Sequence, residues 1–209
     1  SWAMERQFRS LAGVTNFWVC SRSMLSWYDY ALKLLQDRGD LVWIYSGPPA
    51  VSEVSSAITK FPLMAWMWGI DGYIHWLAVS PGADPWFRFD GGGTALVYPG
   101  TRFGIRAPIP SIRLKLQRNC VQDIALLDSF RRSRGIEALR GEVARRYNGS
   151  RPADWWTPRP KLADTAPYEW SNTDIDEVTD LDERLFAGLD PAAWQNVRDY
   201  VHQLAKEAK

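Results

Sequence analysis

LVWIYSGPPAVSEVSSAITKFPLMAWMWGIDGYIHWLAV, residues 41 to 79, sets an apolar run, a breaker, a helical pattern and another apolar run in sequence. Leu41 to Tyr45 is almost continuously apolar and β-prone, and Ser46-Gly47-Pro48-Pro49 ends it. Ile58, Phe61, Ala65 and Trp68 then recur at helical spacing up to Gly69, and Pro62 either kinks that helix or marks its true start. Tyr73 to Val79 is the next strand candidate. Upstream, Val14 to Cys20 is a further buried-strand candidate. A helix comes after it with Trp27, Ala31, Leu34 and Leu35 on one face and Arg38-Gly39 as its stop. Strand, helix, strand, helix, strand with near-continuous apolar strands is the pattern of a parallel sheet under helices.

Beyond Val79 the pattern changes. Ser80 to Gly100 is a glycine- and proline-rich loop holding Asp84-Pro85-Trp86, Asp90-Gly91-Gly92-Gly93 and Tyr98-Pro99-Gly100. A loop of this length inside a compact domain is usually functional or disordered. Ser111 then offers a cap for a long helix with Ile112, Leu116, Cys120, Ile124 and Leu127 as its apolar stripe. The arginines from Arg131 to Arg146 read as a solvated helix face, paired with an acidic tail at Asp174 to Glu183. Residues 149 to 172 show little periodicity. The last helix is expected to be capped by Asp190, with Pro191 at its first position, a staple from Leu189 to Trp194, and a docking stripe of Trp194, Val197, Val201 and Leu204.

Composition narrows the function. Twenty-five basic and 24 acidic residues leave a formal charge of +1, which gives no electrostatic reason to expect a nucleic-acid partner. No apolar run approaches the roughly 18 residues of a membrane span, so no membrane partner is expected. Two histidines and two cysteines argue against a His-based metal site or triad, and no cofactor is expected. Cys20 and Cys120 lack metal-ligand spacing and read as small buried hydrophobes. Twelve tryptophans are many for 209 residues. An indole offers a broad apolar face with one polar N–H, which suits both a core and the C–H face of a sugar ring.

Three blocks, in order, resemble the catalytic domain of glycoside hydrolase family 123. They are Met64-Ala65-Trp66-Met67-Trp68-Gly69-Ile70-Asp71-Gly72-Tyr73-Ile74-His75-Trp76; Asp84-Pro85-Trp86 with the glycine cluster and Tyr98-Pro99-Gly100; and Ile109-Pro110-Ser111-Ile112-Arg113-Leu114 with Arg118 and Asp123. The match covers about residues 14 to 130. His75 stands where an aromatic is more usual, the glycine cluster leaves Asp90 as its nearest acid, and Asn119 to Asp123 is less acidic than the family's segment. The resemblance implies an α/β fold of partial (β/α) TIM-type barrel. Residues 1–130 would be its C-terminal strands and residues 131–209 a helical and extended tail.

It also implies hydrolysis of β-linked N-acetylhexosaminides with retention, the substrate's acetamido oxygen attacking the anomeric carbon. That chemistry needs a proton donor and a carboxylate to orient the acetamido group, an adjacent Asp-Glu pair in the family. Asp176-Glu177 and Asp182-Glu183 lie in the acidic tail with no apolar strand before them and are not given the role. The pair is expected in an N-terminal part of the same polypeptide upstream of residue 1, and the chain alone is expected to be inactive. Its own contribution would be a sugar-binding wall. Trp76 either stacks on the bound ring or fills the core. Tyr45 and Ser46 offer hydroxyls at the end of their strand, though Tyr45 equally suits packing; Asp84 and Asp90 offer acceptors, though Asp84 before Pro85 equally suits a turn; and Trp86 and Tyr98 either wall the cleft or anchor their loop. His75 alternates with Trp76, so only one of them can face a pocket. Two other readings remain open: a noncatalytic carbohydrate-binding protein and a packing module whose aromatics serve only the core.

Overall fold

The computed structural model describes residues 10–21, 29–46, 49, 53–75, 78–79, 86, 96–149, 151 and 192–208. Three parallel strands, β1 (Phe17–Ser21), β2 (Leu41–Ser46) and β3 (Gly72–His75), lie in that order, with Phe17 opposite Leu41 and Trp43 opposite Gly72. Between them run helix α1 (Asp29–Asp37) and, after a 3₁₀ turn at Ser55–Thr59, helix α2 (Lys60–Trp68). The fold is therefore α/β, a small parallel sheet with helices.

Alternate residues of each strand meet different surroundings. Trp18, Cys20, Val42 and Ile44 turn to the helices and are buried. Phe17, Val19, Leu41 and Ile74, on the opposite face, are 46, 37, 52 and 41% exposed. Near-continuous apolar strands predict cover on both faces. Among the described residues only one face is covered. Glycine at position 72 has a local cause on the open side: a Cβ there would lie 2.6 Å from the Trp43 ring.

Helix α2 is the centre of the core. Every residue from Phe61 to Trp68 is buried, which is why its apolar pattern runs all round instead of along one stripe. Pro62 sits in the first turn, where a backbone N–H has no helical acceptor, and it marks the start of the helix. Gly69 ends α2 at φ 73°, a left-handed conformation suited to glycine.

A short antiparallel ribbon comes next, β4 (Val97–Tyr98) with β5 (Ile109–Pro110). Helix α3 (Ile112–Ser129) starts as expected, the Ser111 hydroxyl accepting from the Leu114 N–H at 3.2 Å. The expected stripe holds at Cys120 and Leu127, which are buried, and at Leu116 and Ile124, which pack half-buried against the core; it fails at its first position. Arg113, Cys120, Asp123 and Leu127 are buried and Ile112 is exposed.

Helices α4 (Arg131–Arg134), α5 (Ile136–Tyr147) and α6 (Ala193–Glu207) complete the described chain. The core continues across residue 130, because Leu139, Val143, Tyr147, Trp194, Val197, Val201 and Leu204 join the cluster built on α2. The arginine-rich stretch pairs with acids of the helices: Glu142 accepts from Arg145 and Arg146 at 2.6 and 2.7 Å, and Glu207 from Arg134 at 2.7 Å. The acidic tail and the Asp190-Pro191 start of the last helix lie outside the described residues.

Candidate functional site

In parallel α/β folds the groups that bind ligands sit beyond the carboxyl ends of the strands. Here β2 and β3 end at Ser46 and His75, and two sets of hydrogen bonds fix the chain beyond those ends. The Leu96 and Val97 N–H groups donate to the Ala78 carbonyl at 2.9 and 3.3 Å, so the ribbon is tied just past β3. The buried Arg113 donates from Nη1 to the Pro49 carbonyl at 2.8 Å and from Nη2 to the Tyr98 hydroxyl at 3.0 Å. One guanidinium thus joins the segment after β2 to the ribbon.

The ribbon carries an aromatic cluster. Trp86 lies 4.7 Å from the Tyr98 ring at 38° and meets Phe103 edge-on at 5.0 Å. The Trp86 indole N–H donates to the Pro99 carbonyl at 3.1 Å, which fixes the plane of the indole. Phe103, on the 3₁₀ turn Thr101–Phe103, is 58% exposed. Gly100 lets this turn close: a Cβ there would lie 2.3 Å from the Ala107 carbonyl oxygen.

Trp86 and Tyr98 are therefore brought together. Tyr45 and His75 are not, since they lie on opposite faces of the sheet. Tyr45 is half-buried opposite Ile74 on the open face. His75 turns toward the helices, 6.2 Å from the Phe61 ring and 5.3 Å from Tyr73, whose hydroxyl accepts from Gln117 at 2.6 Å. Both imidazole nitrogens are buried with no hydrogen-bond partner among the described residues. Burial lowers the His75 pKa to about 4, so the ring is neutral at pH 7. Ser46 ends β2 with only its backbone described, and Trp76, Asp84 and Asp90 lie outside the described residues. Among the described residues no cluster of His, Cys, Asp and Glu could hold a metal ion.

Two participants escape a reading of the sequence. Phe103 sits between Gly100 and Gly104, and those turn signals could have flagged it as an exposed loop aromatic. Arg113 stands in the third block of the resemblance without a role, and nothing in the sequence signals its burial. A cavity of about 330 Å³ lies at the other end of the sheet, between α1, the end of α2 and α5. Its polar groups are spent on neighbours: Lys33 on Asp37, Arg140 and Arg151 on Glu137, and Arg140 Nε and Gln36 on the Trp66 and Trp68 carbonyls at the end of α2. That region holds helix ends together.

The chain matches no protein-family model and no curated protein sequence.

Proposed function

We propose that this chain supplies the sugar-binding wall of a glycoside hydrolase of the family 123 type, acting on β-linked N-acetylhexosaminides by substrate-assisted retaining hydrolysis. The observation that carries the reading is the Trp86–Tyr98–Phe103 cluster beyond the strand ends, with a half-exposed phenyl ring and an indole held in one orientation. Apolar ring faces flanked by a hydroxyl suit the mixed surface of a pyranose. The three strands take the place of part of a TIM-type barrel in this reading. Such a barrel keeps helices outside and packs alternate strand residues inward, and an apolar, helix-free face is what its interior wall needs. The proton donor and the acetamido-orienting carboxylate would come from other polypeptide of the same enzyme.

The test is a titration with N-acetylgalactosamine monitored by tryptophan fluorescence. A saturable change is expected, with Trp86→Ala weakening binding about tenfold, the loss of one stacking platform. The 209-residue chain should not cleave an aryl N-acetyl-β-galactosaminide. Saturable binding that Trp86→Ala leaves untouched would remove the cluster from the site. Binding without any partner polypeptide that restores hydrolysis would favour the noncatalytic carbohydrate-binding protein.

A further inference from the structure

We propose that Arg113 is a positioning residue that fixes Tyr98 as a hydrogen-bond donor toward the ligand, so that the wall selects an oxygen acceptor at that point. The inference deepens the saccharide-wall reading and rests on it. A phenol can give one hydrogen bond and also accept, whereas a guanidinium has five N–H donors and no acceptor. Arg113 Nη2 lies 3.0 Å from Tyr98 Oη, so in this contact the phenol must accept. Its lone pair is then committed to protein, and its single O–H is left to point away from Arg113. A charged donor on the phenol oxygen also polarises the O–H and strengthens it as a donor.

The arrangement is held from several sides. Nη1 of the same guanidinium donates to the Pro49 carbonyl at 2.8 Å, which prevents Arg113 from swinging off Tyr98. The Tyr98 ring is packed by Trp86 at 4.7 Å, and its backbone is paired with Ile109 in the ribbon. Arg113 is the second residue of α3 and is buried. Its bonds to Pro49 and Tyr98 reach the two segments that frame the strand ends. A sugar hydroxyl oxygen, accepting while its own proton turns elsewhere, satisfies a donor of this kind. A group that must itself donate at that point does not.

The test measures binding of N-acetylgalactosamine and of analogues in which each ring hydroxyl is replaced in turn by hydrogen or by fluorine. Fluorine accepts weakly and cannot donate. At one ring position the deoxy analogue should bind about fivefold more weakly than the parent sugar, with the fluoro analogue between the two. Tyr98→Phe should abolish that split. Arg113→Met should abolish it too, while Arg113→Lys, whose ammonium is also donor-only, should restore it. Uniform weakening of all analogues by Arg113→Met with the split intact would mark a merely structural arginine and overturn the proposal. Equal losses for deoxy and fluoro analogues at every position would do the same. If Arg113→Met does not fold, Arg113→Gln, whose amide oxygen can accept from the phenol, takes its place and should abolish the split, and a split retained in Arg113→Gln overturns the proposal. The absence of saturable binding by the parent sugar overturns both the saccharide reading and this proposal, whereas a missing split with intact binding overturns the proposal alone.

Discussion

Acidification should unfold this protein partly through one imidazole. His75 is packed between Phe61 and Tyr73, and burial lowers its pKa to about 4 from the ordinary 6.5. The unfolded chain therefore binds a proton below about pH 6.5 that the folded chain refuses until about pH 4. Stability contributed by the neutral ring is complete above that window, falls as pH drops through it, and is fully lost below it. At pH 5 the loss is about 2 kcal/mol, and its limit is about 3 kcal/mol. For a domain whose total stability is of order 5–15 kcal/mol this is measurable. It corresponds to a fall of about 1 M in urea midpoint between pH 7 and pH 5. His75→Phe keeps a ring against Phe61 and Tyr73 and removes the titration. Urea melts of both proteins at pH 7 and pH 5 isolate the residue, because every other titrating group is common to the pair. Parallel losses in wild type and His75→Phe would refute the reasoning.

Other outcomes rest on the packing. Val201→Ala removes two methyl carbons from a fully buried site on α6 and should cost about 2 kcal/mol in a denaturant melt without changing helix content. Gly72→Ala would drive a methyl group into the Trp43 ring, 2.6 Å away, so the indole must swing off the sheet. A changed Trp43 emission, with Trp43→Phe as the control, is expected, and an unchanged spectrum would count against that contact. Gly100→Ala meets two backbone carbonyls, of Ala107 and Ile105, which are hard to displace. It should disturb the Trp86–Tyr98–Phe103 cluster and weaken saccharide binding more than it lowers the melting temperature.

The parallel sheet and its helices were legible because apolar runs and helical spacing are local properties of Val14–Cys20, Leu41–Tyr45 and the segments between them. Residues 193–207 were legible for the same reason: Trp194, Val197, Val201 and Leu204 form a single stripe, and all four are buried. Helix α3 and most of its stripe were legible, with Leu116, Cys120, Ile124 and Leu127 all on the core side, and only its first turn was not. Ile112 looks like a core residue and nothing in the sequence marks Arg113 as one, yet the contacts that hold Arg113 inside come from Pro49 and Tyr98, far away in sequence. The same limit applies to the candidate site. Trp86 and Tyr98 could be named from the loop, but their stacking with Phe103 depends on a turn whose closure rests on Gly100. His75 could be said to alternate with its neighbour. Which face it joined was a question of the packing behind the sheet, and Phe61 and Tyr73 decided it.

Because side chains along a strand alternate, the two surfaces of this sheet can be rewritten independently. Val19 and Leu41 are 37 and 52% exposed while Trp18 and Val42, their immediate neighbours, anchor the interior. Threonine at positions 19 and 41 would combine β-branched shape and wettability on one side without touching the packing on the other. In the isolated chain that side alone can take a new surface, whereas in a barrel the same two positions would face its packed interior.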